Sequence, residues 1–230
     1  ARRILPPQLE LLDPAHPLAY CYVVNIREPT FAPWYLEAGI GIMARFGDMP
    51  GLYFCNLQLT GPGAQMGMLT GRVSGLPKKL CERIVVERNG DWAHALVEAK
   101  GRRIFDVEIE IGEYNIPGMR ESMGDVKPGG RTSGGCFLFT YEQEPAPDGH
   151  VVFTKVTLVN YDSYTVHETY ESATITSLQM EPSLDDPWAE LAVVQLLGAV
   201  YSRNDNVVNA VVPLAEYRGD EADELFSYKI

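Results

Sequence analysis

No stretch of this sequence approaches the roughly 20 consecutive apolar residues that a membrane-spanning helix needs. Its first residues, Ala1-Arg2-Arg3-Ile4-Leu5-Pro6-Pro7, lack the long apolar run of a signal peptide. Both absences lead us to expect a cytoplasmic chain with no membrane partner. Positive charge is scarce too: 19 Lys and Arg stand against 31 Asp and Glu, a formal net charge of −12. A field of that sign repels phosphate backbones, so no nucleic-acid partner is expected. Cys21, Cys55, Cys81 and Cys136 form no Cys-x-x-Cys pair, which points away from a zinc knuckle or a disulfide scaffold and toward reduced packing residues. His16, His94, His150 and His167 show neither His-x-His nor His-Glu-x-x-His spacing, and no Gly-x-Ser-x-Gly elbow is present. Neither a metal nor a cofactor is expected. The chain also starts without Met, which suggests that residues upstream of Ala1 belong to the natural protein.

What is present reads as one globular domain over residues 1–230, since 230 residues at 46% hydrophobic content can bury a sizeable core. Short segments rich in β-branched and aromatic residues recur between turn signals: Ala19–Ile26, Gly51–Leu59, Gln65–Val73, Arg83–Arg88, Ala93–Val97 and Ile104–Ile111. Asn89-Gly90 has the chemistry of a type I′ hairpin turn, and Lys100-Gly101-Arg102 supplies the next break, so a three-stranded meander is expected. In its last strand Phe105, Val107, Ile109 and Ile111 share one face, and Asp106, Glu108 and Glu110 share a solvated one. Met123–Gly135 reads as a flexible loop before a strand at Cys136–Tyr141. Two long strands are expected at Val151–Asn160 and Tyr164–Met180, and a last one at Val207–Ala215. Pro187–Val200 reads as the one helix, capped by Asp185 or Asp186, with Leu191, Val194, Leu197 and Val200 at helical spacing.

Two Gly-rich segments imitate nucleotide loops. Gly124–Gly135 has Arg131 where a P-loop has Lys, and Gly39-Ile40-Gly41 sits in no evident βαβ unit, so neither reads as a phosphate site.

The segment that carries chemistry is Gly71-Arg72-Val73-Ser74-Gly75-Leu76-Pro77-Lys78-Lys79-Leu80. Pro-Lys-Lys is commonly an exposed turn. An amine, however, is a nucleophile only when unprotonated, and desolvation together with a second cation can strip a lysine's proton at neutral pH. Adjacent lysines in an apolar pocket would meet both conditions.

Gly71-Arg72 followed by Pro77-Lys78-Lys79-Leu80 resembles the active-site signature of the acetoacetate decarboxylase superfamily. The loose Pro-containing start at Ala1–Glu10, Tyr35-Leu36-Glu37-Ala38-Gly39, Tyr164-Thr165-Val166-His167-Glu168 and Val212-Pro213-Leu214 resemble its other stretches in order. The resemblance implies a β-rich α+β fold, a closed or cone-like antiparallel β-barrel with few helices, whose interior is the pocket. It implies that Lys78 forms a Schiff base with a small keto acid, that Lys79 is the neighbour that lowers its pKa, and that Glu37 orients substrate or moves a proton. The family's other pocket glutamate falls near Tyr22, where this chain has no carboxylate. Tyr22, Ser74, Met66 and Met68 are candidate substrate-binding residues by proximity to Lys78. Decarboxylation of a β-keto acid such as acetoacetate is the expected reaction; condensation of a 2-oxo acid with an aldehyde and a non-catalytic ligand-binding barrel are the alternatives. Family members are commonly homo-oligomers, so the same is expected here.

Overall fold

A computed structural model describes residues 1–123 and 126–226. Gly124 and Asp125, which open the Gly-rich segment, lie outside the described residues. In chain order the elements are β1 (Glu10–Leu11), β2 (Ala19–Ile26), β3 (Tyr35–Phe46), β4 (Met49–Thr60), α1 (Ala64–Val73), β5 (Lys78–Leu80), β6 (Arg83–Asn89), β7 (Trp92–Ala99) and β8 (Arg102–Ile111). There follow α2 (Met119–Met123), β9 (Arg131–Pro145), β10 (Val151–Gln179), β11 (Ala199–Tyr217) and α3 (Asp220–Phe226). The strands form one 11-stranded sheet whose main path runs β1-β3-β4-β9-β10-β8-β7-β6, with β2 on β3, β5 on β4 and β11 on β10.

β-rich architecture with few helices is therefore as expected, but two features of the expected barrel are not. The hydrogen-bonded path is open, because no ladder joins β6 back to β1, β2 or β3 among the described residues. Pairing is also not wholly antiparallel: β5 and β9 both run parallel to β4. The core lies on one side of β3 and β4, where alternation turns Ala38, Ile40, Ile42 and Ala44 inward to meet Tyr53, Phe137, Phe139 and Trp188.

Local chemistry explains where the observed elements depart from the sequence pattern. Asn89 pairs with Trp92, so the first hairpin turn is Gly90-Asp91, with positive φ at Gly90 alone, the pattern of a type II′ turn. The type I′ pattern occurs instead at Lys100-Gly101, where φ is 52° and 69°. The amide of Lys100 is held there by both carboxylate oxygens of Glu82. Arg131–Gly135 belongs to β9, and the two long strands expected after residue 150 are one, β10, with an irregularity at Asp162/Ser163. Gln65–Val73 is helical, as α1.

Pro187–Val200 forms only a 3-10 turn at Trp188–Glu190, followed by irregular chain until β11 begins at Ala199. Trp188 is drawn into the core, 5.2 Å from the Phe105 ring, and its Nε1 donates to Asn56 Oδ1 at 2.9 Å. The Asp186 carboxylate is engaged by Asn56 and Gln58 rather than by helix amides, and Val194 is 98% exposed, so tertiary contacts override the helical spacing. No helix among the described residues is long and apolar enough to cross a membrane.

The meander is clamped by His94. Its Nδ1 lies 3.0 Å from Glu87 on β6 and its Nε2 2.9 Å from Asp106 on β8, while its ring stacks on Trp92. Partial burial opposes protonation, but the hydrogen bonds to the two carboxylates and their charge outweigh it, raising the His94 pKa above the ordinary value. A raised folded-state pKa gives stability that is fully present below the unfolded value and lost as pH rises through the folded one. Thermal unfolding across pH should therefore show His94→Gln destabilised by up to about 1 kcal/mol below the ordinary histidine pKa of about 6.5, with the gap narrowing as pH rises beyond it.

Candidate active site

Strand alternation sorts the two lysines onto opposite faces of the sheet. On β5, Lys78 is in register with Leu57 and Lys79 with Gln58 of β4. In the next register Leu57 faces Gly39 and Leu59 faces Glu37 on β3, and beyond that Gly39 faces Tyr22 on β2. Side chains opposite one another share a face. Lys78, Leu57, Leu59, Glu37 and Tyr22 thus line one side, and Lys79 and Gln58 the other.

The first face holds a buried ion pair. Lys78 Nζ is 2.7 Å from Glu37 Oε2, with side chains only 6% and 9% exposed. The Tyr22 hydroxyl donates to Glu37 Oε1 at 2.6 Å, and the Tyr35 ring centroid lies 5.7 Å from Nζ. The two carboxylate oxygens are thus divided, Oε2 against the Lys78 amine and Oε1 on the Tyr22 hydroxyl. Burial, then the charge of Glu37 and the hydrogen bond to it, push the Tyr22 phenol well above its ordinary pKa. Tyr22 therefore stays a neutral donor that fixes the carboxylate. Burial likewise raises Tyr35, with the Glu37 charge adding to it.

α1 roofs this pair with its small residues. Ala64, Gly67 and Gly71 are its buried positions. A Cβ at Gly71 would fall on the Lys78 stem, 2.8 Å from Cε, and one at Gly67 would lie 3.2 Å from Tyr35 Cζ. Only a bare backbone lets the helix lie against the lysine. Arg72 at its last turn donates from Nε to the Lys78 carbonyl at 2.7 Å, fixing the strand that carries the amine.

Lys79, expected beside the Lys78 ammonium, is instead held by a second buried carboxylate. Its Nζ donates to the Asp185 carbonyl at 2.6 Å and lies 3.2 Å from Asp186 Oδ1. Asn56 and Gln58 donate to the same oxygen at 3.0 and 2.9 Å, and Ser183 to Oδ2 at 3.1 Å. Neighbouring residues of a strand point oppositely, so Lys79 supplies no second cation on the face of Lys78.

Of the other candidates, Tyr22 and Glu37 meet Lys78 as described. Ser74 shares a hydrogen bond with Tyr161, a residue that sequence reasoning missed because its approach depends on the long-range placement of β10. Tyr161 also lies near Tyr35. Met66 is exposed and Met68 half-buried, because the helical turn of α1 gives the inward face to Gly67 and Gly71. No group of three or more His, Cys, Asp or Glu side chains among the described residues could hold a metal ion.

A family model described as acetoacetate decarboxylase matches residues 1–218. A relative named CLA biosynthesis isomerase, from Lactiplantibacillus plantarum, is 34% identical over 210 residues, covering 90% of this chain and 73% of its own. Among solved structures, the acetoacetate decarboxylase of Legionella pneumophila superposes with a TM-score of 0.71 at 17% identity, covering 94% of this chain and 80% of that one. The enduracididine biosynthesis enzyme MppR, complexed with the condensation product of pyruvate and imidazole 4-carboxaldehyde, gives a TM-score of 0.57 at 17% identity over 93% of this chain and 81% of its own. At such identities the structural likenesses speak to the fold alone.

The packing of α1 on the lysine is testable by denaturant unfolding. Gly71→Ala puts a methyl into the Lys78 stem and should cost about 1–3 kcal/mol. Gly118→Ala, whose added Cβ meets nothing within 4 Å, should stay within about 0.5 kcal/mol of the wild type.

Proposed function

The chain belongs to the acetoacetate decarboxylase family, and from that premise we propose that it is a lysine Schiff-base enzyme that isomerises a small unsaturated ketone by moving a proton beside the imine. The observation that carries this reading is the 2.7 Å contact between the buried Lys78 Nζ and Glu37 Oε2. A carboxylate there can take the ammonium proton and return it, so one group serves both to free the amine and to move protons on the substrate.

The steps balance as follows. Glu37 accepts a proton from Lys78, and the neutral amine adds to the ketone. Loss of water, with the Glu37 proton, leaves an iminium and a carboxylate again. The iminium draws electrons from the adjacent carbon, Glu37 removes its proton, and a neutral dienamine forms. Reprotonation at the γ carbon gives the conjugated iminium, which water hydrolyses to product and free Lys78. Oε2 faces the Lys78 amine at 2.7 Å, which suits such transfers. Tyr22 pins the other oxygen throughout.

Two observations favour proton transfer over loss of carbon dioxide. The group on Glu37 is the neutral Tyr22, Lys79 is turned to Asp186 on the other face, and Arg72 gives its Nε to the Lys78 carbonyl, so among the described residues no cation other than Lys78 is paired with Glu37. The 34% identical relative is also named an isomerase. Decarboxylation of a β-keto acid is the second reading, supported by the family match over residues 1–218. It uses the same electron sink: the bond to the carboxylate breaks, carbon dioxide leaves, and the enamine is protonated and hydrolysed.

Proton NMR in deuterated water decides between them. With a β,γ-unsaturated ketone the account expects the conjugated isomer carrying deuterium at the γ carbon, and Glu37→Gln slower by about 10²–10⁴-fold. An unchanged ketone alongside carbon dioxide release from acetoacetate would establish the second reading. Turnover of neither would leave a ligand-binding protein.

A further inference from the structure

We propose that the hydroxyls of Ser74 and Tyr161 form a second polar anchor of the substrate site, binding an uncharged oxygen, hydroxyl or oxo, carried on the substrate's chain away from the carbonyl that meets Lys78. The place of that carbonyl rests on the Schiff-base reading. On β4 the register passes from Asn56 opposite Ile40 to Phe54 opposite Gly41, which leaves Cys55 unpaired. One unpaired residue reverses the alternation, so Phe54 and Leu52 join Leu57 on the face of Lys78. That face then crosses two further strands, because Leu52 is in register with Cys136 on β9, and Cys136 with Tyr161 on β10. Phe54 and Leu76 each pack against both the cluster of Tyr35 and Leu57 and the cluster of Cys136 and Leu138. An apolar strip thus runs from the Lys78–Glu37 pair to Tyr161. Phe54, Leu76, Ser74 and Tyr161 are all half-buried, so the strip is not sealed by the fold.

The chemistry at the far end of the strip selects the ligand. Burial, then the nearby Cys136, raise the Tyr161 phenol above its ordinary pKa, against the hydrogen bond with Ser74, which lowers it. The phenol is therefore neutral, and a hydroxyl that both donates and accepts has capacity beyond the one bond it makes with Ser74. Ser74 Oγ also reaches the Thr70 carbonyl at 3.3 Å, at the C-terminal end of α1. Carbonyls gathered at a helix C-terminus disfavour an anion. Arg72, the basic residue of that last turn, gives its Nε to the Lys78 carbonyl. Two neutral hydroxyls beside such an end suit a neutral oxygen rather than a carboxylate. The substrate class that fits the whole face is a ketone whose apolar chain carries a hydroxyl or second oxo group.

Ligand-observed NMR titrations of the whole chain test this with saturated methyl ketones, which cannot isomerise. The probes are matched pairs with propyl, pentyl and heptyl tails, one member of each pair ending in methyl and the other in hydroxyl. For at least one tail length the hydroxyl ketone should gain on its alkyl counterpart by about fivefold in Kd in the wild type relative to Tyr161→Phe, the worth of one neutral hydrogen bond. Ser74→Ala must show the same loss of preference should Tyr161→Phe fail to fold. A preference left unchanged by the substitutions at every tail length, or a ketone ending in carboxylate that outbinds the hydroxyl one in the wild type, would overturn the proposal. Borohydride reduction of the same samples keeps the two readings apart: a preference that depends on Tyr161 without labelling of Lys78 would count against the Schiff base and leave the anchor in place.

Discussion

Two opposite charges held in contact out of water, Lys78 and Glu37, set the terms for the rest of the structure. Burying an ion costs several kcal/mol even after relaxation, and removing one partner of such a pair typically costs about 3–5 kcal/mol because the other is left uncompensated. The contact is tolerable only where both groups are placed within tenths of an ångström. Three features do that: the ladder from β2 through β3 and β4 to β5, the Tyr22 hydroxyl on the far carboxylate oxygen, and the bare helix face at Gly67 and Gly71. The adjacent lysine follows the same rule on the other face, where Asp186 neutralises Lys79. A chain with large excess negative charge thus keeps both faces of this strand locally neutral.

Such an arrangement separates two tasks that Pro-Lys-Lys seems at first to combine. Lys79 and its carboxylate anchor β5 to the segment after β10, and Lys78 is left to the face that carries Glu37 and Tyr22. Desolvation and a movable proton, rather than a neighbouring ammonium, are then the means available to activate the amine. An iminium is a general electron sink, so one lysine can serve proton transfer, carbon–carbon cleavage or condensation. Which of these occurs depends on the groups around it, and here those groups are a carboxylate and phenols.

Much of this was legible in the residues, and what was not has a physical reason. The meander and the last strand follow from alternation, a local property. The first turn slipped by one residue because Gly90 alone takes positive φ. α1 lacks a helical apolar stripe in sequence because its inward face is made of Ala64, Gly67 and Gly71, which carry no hydrophobic signal, while its apolar Met66 and Leu69 face out. The expected helix at Pro187–Val200 failed because Trp188 and Asp186 are claimed by Asn56, some 130 residues away in sequence. Lys78, Glu37 and Tyr22 could be named from the family resemblance. Tyr161 and Asp186 could not, since only the placement of distant strands and segments brings them in.

The central claim of the proposal is that Lys78, paired with Glu37, and not Lys79, paired with Asp186 on the other face, condenses with a carbonyl. Borohydride reduction in the presence of acetone, followed by peptide mass spectrometry, tests it most directly. The account expects one isopropyl group, on Lys78, and none on Lys79 or on Lys78 in Glu37→Gln protein under the same conditions. Labelling spread over the surface lysines, or an unmodified Lys78, would contradict it.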